Sequence, residues 1–150
     1  MSGRVGLKNS RQRRRKGASA AELALLLPML LLMLVGAVDF CRFFHTYTTI
    51  TNAARNGALW AADPMANGTV TPSQSPYATV QDAAIADASG LRPALTASGV
   101  TSSSGTDGAG NATVSVTVQY NFPLFTSYLG FGSLNLQRTV TMRVEPQTPN

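Results

Sequence analysis

The chain has a single cysteine, Cys41, and a single histidine, His45. One cysteine excludes an intramolecular disulfide, so cysteine pairing says nothing about compartment. No CxxC and no His–Cys cluster is present. The common zinc spacings are thereby excluded, and a lone histidine removes the commonest nucleophile–base pairs. Acidic residues are missing from the first sixteen positions, which hold seven of the twelve Lys and Arg. From Gly17 onward five basic residues face seven acidic ones, a net of −2, so the overall +5 belongs to the head of the chain. The body is not basic, which argues against a nucleic-acid partner. Gly105–Gly110, GTDGAG, lacks the strand–loop–helix setting and following Lys of a phosphate cradle. The spaced acids of an EF-hand are lacking too. The residues point to no cofactor, no metal and no enzymatic site.

What the chain does have is one long apolar run. From Ala18 to Val38 the sole ionisable residue is Glu22. Twenty-one residues form a helix about 31 Å long, enough to cross a bilayer's hydrocarbon core. RQRRRK precedes it, and Asp39 and Arg42 follow. Positive residues directly before a span stay in the cytoplasm. The basic head, 1–16, is therefore read as an irregular topological signal rather than a nucleic-acid arm. The expected location is the inner (cytoplasmic) membrane, with one pass, the N-terminus cytoplasmic and the C-terminal domain periplasmic.

Glu22 is the unusual residue of the run. A carboxylate in a spanning segment costs about 2.5 to 3.5 kcal/mol at the centre and less near an end. Near the start of the helix the dipole favours it, yet in lipid it still calls for a cation. A cut after Gly17 would create an α-amino group at Ala18, which could pair with Glu22 of a neighbouring subunit. Pro28 lies within the run, where it removes a donor and crowds the Ala24 carbonyl, so a kink or local melting is expected. Val35-Gly36-Ala37 would also pass as an ordinary signal-peptide cleavage site, but Glu22 and the continuing helix argue against it.

The apolar period continues past the span. Phe40, Phe43, Phe44, Tyr47, Ile50, Thr51, Ala54, Ala58 and Ala61 recur at spacings of three and four, and Asp63-Pro64 supplies a stop. One amphipathic helix over 39–62 is predicted, with Asp39 and Arg42 able to pair on one face and His45 on its polar side. Ser75–Ser89 reads as a second helix capped by Ser75, with Pro76 at its first position and Gly90 at its close. Gly99–Ser103 is a short candidate strand. Asn111–Phe122 and Leu134–Glu145 alternate apolar and polar residues, as half-buried strands do, with Arg138 breaking the second apolar face. Phe125, Tyr128, Leu129 and Phe131 in the connection are expected to cap the sheet rather than touch a neighbour, and the tail beyond Glu145 to fray. The fold class is α+β: a long N-terminal helix, half transmembrane, packed with a second helix and a small antiparallel sheet. The segments are a leader, 1–17, a span, 18–38, an amphipathic continuation, 39–62, and a periplasmic α+β domain, 63–150.

The stretch GASAAELALLLPMLLLMLVGAVDFCRFFHTYTTITNAARNGA resembles the TadE-like family, minor pilins or pseudopilins of tight-adherence (Flp-type) type IV pili. The likeness rests on Glu22, Leu27-Pro28, Met29–Leu34, the acid-x-x-Arg of Asp39 to Arg42, and Asn52-Ala53-Ala54-Arg55. Basic leader, Gly17 and Glu22 also resemble a class III prepilin signal. Leu23 stands where Flp-type pilins commonly place an aromatic. Thr141–Glu145, TMRVE, is similar to the family's closing segment. The resemblance implies cleavage between Gly17 and Ala18 by a prepilin peptidase and assembly through Glu22. It implies contact with other pilins and pseudopilins, the inner-membrane assembly platform and the lipid bilayer, and incorporation into a surface pilus for adhesion. A permanently anchored adhesin or binding protein, or a secreted protein cut before Val38, would use the same residues differently.

Overall fold

A computed structural model of the chain describes residues 8–66, 75–125, 130 and 132–145, with side chains from Ser19 onward. The elements run α1 (Lys8–Ala62), α2 (Val80–Asp87), β1 (Val100–Thr106), β2 (Ala112–Pro123) and β3 (Ser133–Arg143). The fold is α+β, as the sequence predicts. Two compact units are formed, Met1–Phe40 and Cys41–Asn150.

In the first unit α1 begins at Lys8 rather than after the basic head. Residues 8–16, expected to be irregular, are helical. Arg, Lys and Gln are good helix formers, and extending an existing helix needs no new nucleus. α1 is also unbroken through Pro28, so the local melting expected there does not occur. Asp39 is buried at 5% exposure.

In the second unit the rest of α1, α2 and the sheet share one core. Ile50, Ala53, Ala54, Ala58 and Ala62 of α1 are buried. Compared with the predicted stripe, the buried face is turned: Phe40 and Phe44 are exposed, and Ala53 and Ala62 lie inside. Small residues let the helix approach its neighbours closely. At Gly57 an added Cβ would meet Val116 Cγ1 at 3.3 Å and Ala84 Cβ at 3.4 Å. Asn56 Nδ2 donates to the Ala83 carbonyl at 2.7 Å, tying α1 to α2. α1 ends at Ala62 as predicted, and the Asp63 carboxylate accepts from the Met65 N–H at 2.8 Å.

α2 starts later than the sequence reading placed it. Thr79, not Ser75, is the N-cap, accepting from the Asp82 N–H at 3.1 Å. The Ser75 hydroxyl accepts instead from the Tyr77 N–H at 3.1 Å, and Trp60 Nε1 donates to the Tyr77 carbonyl at 3.2 Å. Both bonds hold 75–77 outside the helix. The C-cap is Ala88 rather than Gly90.

The sheet is an antiparallel meander in the order β1-β2-β3. β1 is longer than predicted and absorbs Gly105 and Thr106, leaving Asp107–Gly110 as the turn. Val114, Val116, Val118, Tyr120 and Phe122 of β2 face the core, and Leu136 of β3 joins them. On the outer face Ser115–Thr141 and Thr117–Thr139 pair their hydroxyls at 2.7 Å. Val118 pairs with Arg138, whose guanidinium carbon lies 5.0 Å from the Tyr47 ring centre. The charge that interrupts the apolar pattern thus covers an aromatic face. Phe125, expected to cap the sheet, is exposed; Tyr128, Leu129, Phe131 and the tail after Glu145 lie outside the described residues.

Candidate functional site

The candidate site is the N-terminal half of α1. Ala, Leu and Met dominate 18–34, and all three are strong helix formers. Successive side chains turn by about 100°, so a run of exposed residues samples every face of the helix. Met29, Leu30, Leu31, Leu32, Met33 and Leu34 are all at least half exposed, and Leu25 reaches 80%. Among the described residues no protein surface covers this stretch. A continuous apolar surface of this kind is stable in water only if lipid or other helices cover it. The helix from Ser19 to Ala62 is long and apolar enough to be a candidate membrane span.

Gly17, Ala18, Glu22 and Pro28 all lie on α1. Ala18 and Glu22 are four residues apart, about 6 Å along the axis and on one face. Glu22 is exposed among leucines. Gly17, within α1, is the weakest helix former of its neighbourhood. The Pro28 ring leaves the Ala24 carbonyl without its helical donor.

In the second unit, aromatic rings cluster around Phe43. It stacks on Tyr47 at 6.0 Å between ring centres and meets Phe122 edge-on at 6.1 Å. Arg42 lies over the Phe122 ring, its guanidinium carbon 5.3 Å from the ring centre. Tyr120 donates its hydroxyl to the Pro93 carbonyl at 2.8 Å. Burial pushes its phenol above the ordinary value, and the Arg42 charge opposes part of that rise. These aromatics serve the core, as the sequence reading expected. His45 is exposed, and its carbonyl accepts from the Thr48 and Thr49 hydroxyls at 2.8 Å. Among the described residues no group of three or more His, Cys, Asp or Glu is placed to hold a metal ion.

Arg138 over Tyr47 and Arg42 over Phe122 escaped sequence reasoning. Each pair joins residues about eighty or more apart in the chain, and no local period reports such a contact.

Residues 17–59 match the family described as TadE-like protein, a family of pilus-associated proteins. The match takes in Gly17, Glu22, Pro28 and the Asn52–Arg55 segment and stops before Trp60. The TMRVE segment lies beyond it. No curated protein and no solved structure matches the chain.

Proposed function

We propose that the chain is a structural minor pilin or pseudopilin of a tight-adherence type IV pilus. It is inserted by α1, cut between Gly17 and Ala18, and recruited to its partners through the processed helix. The observation that carries this reading is the exposed apolar helix with one carboxylate a turn beyond Ala18. The family match over the same residues supports it. Assembly, rather than catalysis, is the work such a helix can do. Its apolar faces exchange lipid for neighbouring helices, and small residues and packing drive that exchange. Glu22 gains a cationic partner in place of a poor solvent. Cleavage needs the Gly17 peptide unwound from the helix, and a glycine there lowers that cost. A bend at Pro28 would ease the passage from bilayer to filament.

The partners under this reading are a prepilin peptidase, other pilins and the inner-membrane assembly platform. Intact mass and N-terminal sequencing of membrane and sheared-surface fractions test it. Ala18 as the first residue in both fractions is expected. An uncut leader in the membrane fraction with no chain in the surface fraction would leave a permanent anchor, and a chain starting at Val38 would make this a secreted protein.

A further inference from the structure

Beside the aromatic cluster lies a cavity of about 370 Å³ lined by Arg42, His45, Thr46, Arg92, Leu91 and Phe122, among others. Its walls divide by chemistry. Leu91 and the Phe122 ring are apolar and buried. Arg42 and Arg92 bring two cations to a single opening, from positions fifty residues apart in the chain. Both guanidinium groups are held in place. Arg42 is stacked on Phe122. Arg92 is pinned by one nitrogen, Nη1, which donates to the Ser89 carbonyl at 3.0 Å and the Leu91 carbonyl at 2.8 Å. That leaves Nε and Nη2 of Arg92 with protons to donate. Thr46, only 6% exposed, adds a hydroxyl to the lining. Asp39 stands three residues before Arg42 in the sequence, a helical spacing at which a carboxylate can offset part of an arginine's charge. Arg92 is therefore the stronger anion ligand.

Arg42 is four residues beyond Val38, where the span read from the sequence ends. Four residues cover at most about 14 Å, so Arg42 itself stays within that reach of the span's end. A pre-organised pair of arginines suits a phosphate oxygen pair. The adjoining apolar wall suits the neck of a lipid rather than a free anion.

We infer that this cavity binds the phosphodiester headgroup of an anionic phospholipid, with Arg92 and Arg42 on the phosphate and Leu91 and Phe122 against the glycerol and first acyl carbons. The inference rests on the reading of 18–38 as a membrane span, but not on cleavage or pilus assembly.

The test uses the full chain in a neutral maltoside detergent, with bound lipid counted by native mass spectrometry. Short-chain phosphatidylglycerol, short-chain phosphatidylcholine and glycerol 3-phosphate are titrated separately. One phosphatidylglycerol per chain is expected, with phosphatidylcholine about tenfold weaker. Arg92→Gln should weaken phosphatidylglycerol about tenfold, the loss of hydrogen bonds to a charged group. Arg55→Gln, the same change of charge on an exposed part of α1, should leave it unaltered. Arg42→Gln serves as a second variant, with thermal unfolding to show that it is folded; Arg92→Gln decides if it is not. Equal binding of the two lipids, or wild-type binding by Arg92→Gln, would overturn the site. So would glycerol 3-phosphate displacing the lipid at equal concentration, since the ligand would then be a free phosphate. A chain that stays soluble and monomeric once detergent is removed would overturn the span, and that result is read without reference to lipid occupancy.

Discussion

A charged side chain on an apolar surface needs an opposite charge, water or an aromatic face. Arg138 has the last of these in Tyr47. Glu22, exposed among leucines, has no comparable ring beside it in the sequence. If its partner is the α-amino group created at Ala18, the gain depends on cleavage, and an axial offset between subunits makes it depend on assembly too. Glu22→Gln should therefore be inserted and cut normally, yet recover about tenfold less partner pilin on co-purification at matched membrane abundance. Glu22→Ala should behave the same way, since both remove the charge. Equal recovery from all three chains would reduce Glu22 to a helix-start acid. Gly17→Val tests the other half of the pair. The β-branched side chain restricts the backbone where the peptidase needs access, so the leader should stay attached while insertion persists. Mass measurement of the membrane fraction checks it, and normal processing would count against the prepilin reading.

At the scale of elements, the β1–β2 connection is held by one carboxylate. Asp107 accepts from the Asn111 side chain at 3.0 Å, the Asn111 N–H at 2.8 Å and the Ala109 N–H at 2.9 Å, and pairs with Arg143 at 2.6 Å. The Asn111 side-chain bond, the Asn111 N–H, Arg143 and the Ala109 N–H together hold its pKa well below the usual carboxylate range. A depressed folded-state pKa gives stability that is full above the unfolded value, about 4. That stability is lost as pH falls below it toward the folded value. The wild type should thus keep its stability advantage over Asp107→Asn from neutral pH down to about 4 and lose it progressively as pH falls below that, measured by thermal unfolding in micelles. Gly99 governs the entry to β1, for a Cβ there would sit 2.7 Å from the Gln119 carbonyl oxygen. Gly99→Ala has to move backbone and should cost about 1 to 3 kcal/mol, read in the same unfolding assay. The elements themselves were legible to different degrees. β2 alternates cleanly because one face is core and the other water, and its observed bounds differ by one residue from the expected ones. α2 was misjudged at its start because Trp60, seventeen residues away, takes the Tyr77 carbonyl. Yet Thr79-Val80-Gln81-Asp82 carries a capping-box pattern that marks the true start. The buried face of α1 was set by alanines and Gly57 that permit close approach, where size alone had favoured Phe40 and Phe44.

For the whole molecule, two kinds of apolar surface have different fates. The second unit folds its own inward, around Ile50, Val116, Val118 and Phe122. Among the described residues the first leaves its leucines and methionines outside, a surface that lipid or other helices can cover. That much of the candidate site was legible in the sequence, because a span declares itself by composition along a continuous stretch. The Arg42–Arg92 cavity was not, because it exists only once the loop after α2 returns to α1. Orientation is likewise a property of the chain as a whole, set by charge on either side of the span. Seven basic residues precede it, and the next five are spread over the remaining length. By the positive-inside rule the basic head is expected to stay in the cytoplasm and residues 63–150 to cross to the periplasm. A periplasm-dependent reporter fused after Glu145 should be active and its cytoplasm-dependent counterpart silent. The cause can be separated from the outcome by replacing Arg11, Arg13, Arg14 and Arg15 together with Gln. Length, apolar run and Gly17 are untouched by that change, so insertion should persist while the fraction of chains with a periplasmic C-terminus falls. If the quadruple variant keeps the wild-type reporter ratio, the basic head does not set the topology, and its charge has to be assigned to another task, such as recognition of the leader by the peptidase.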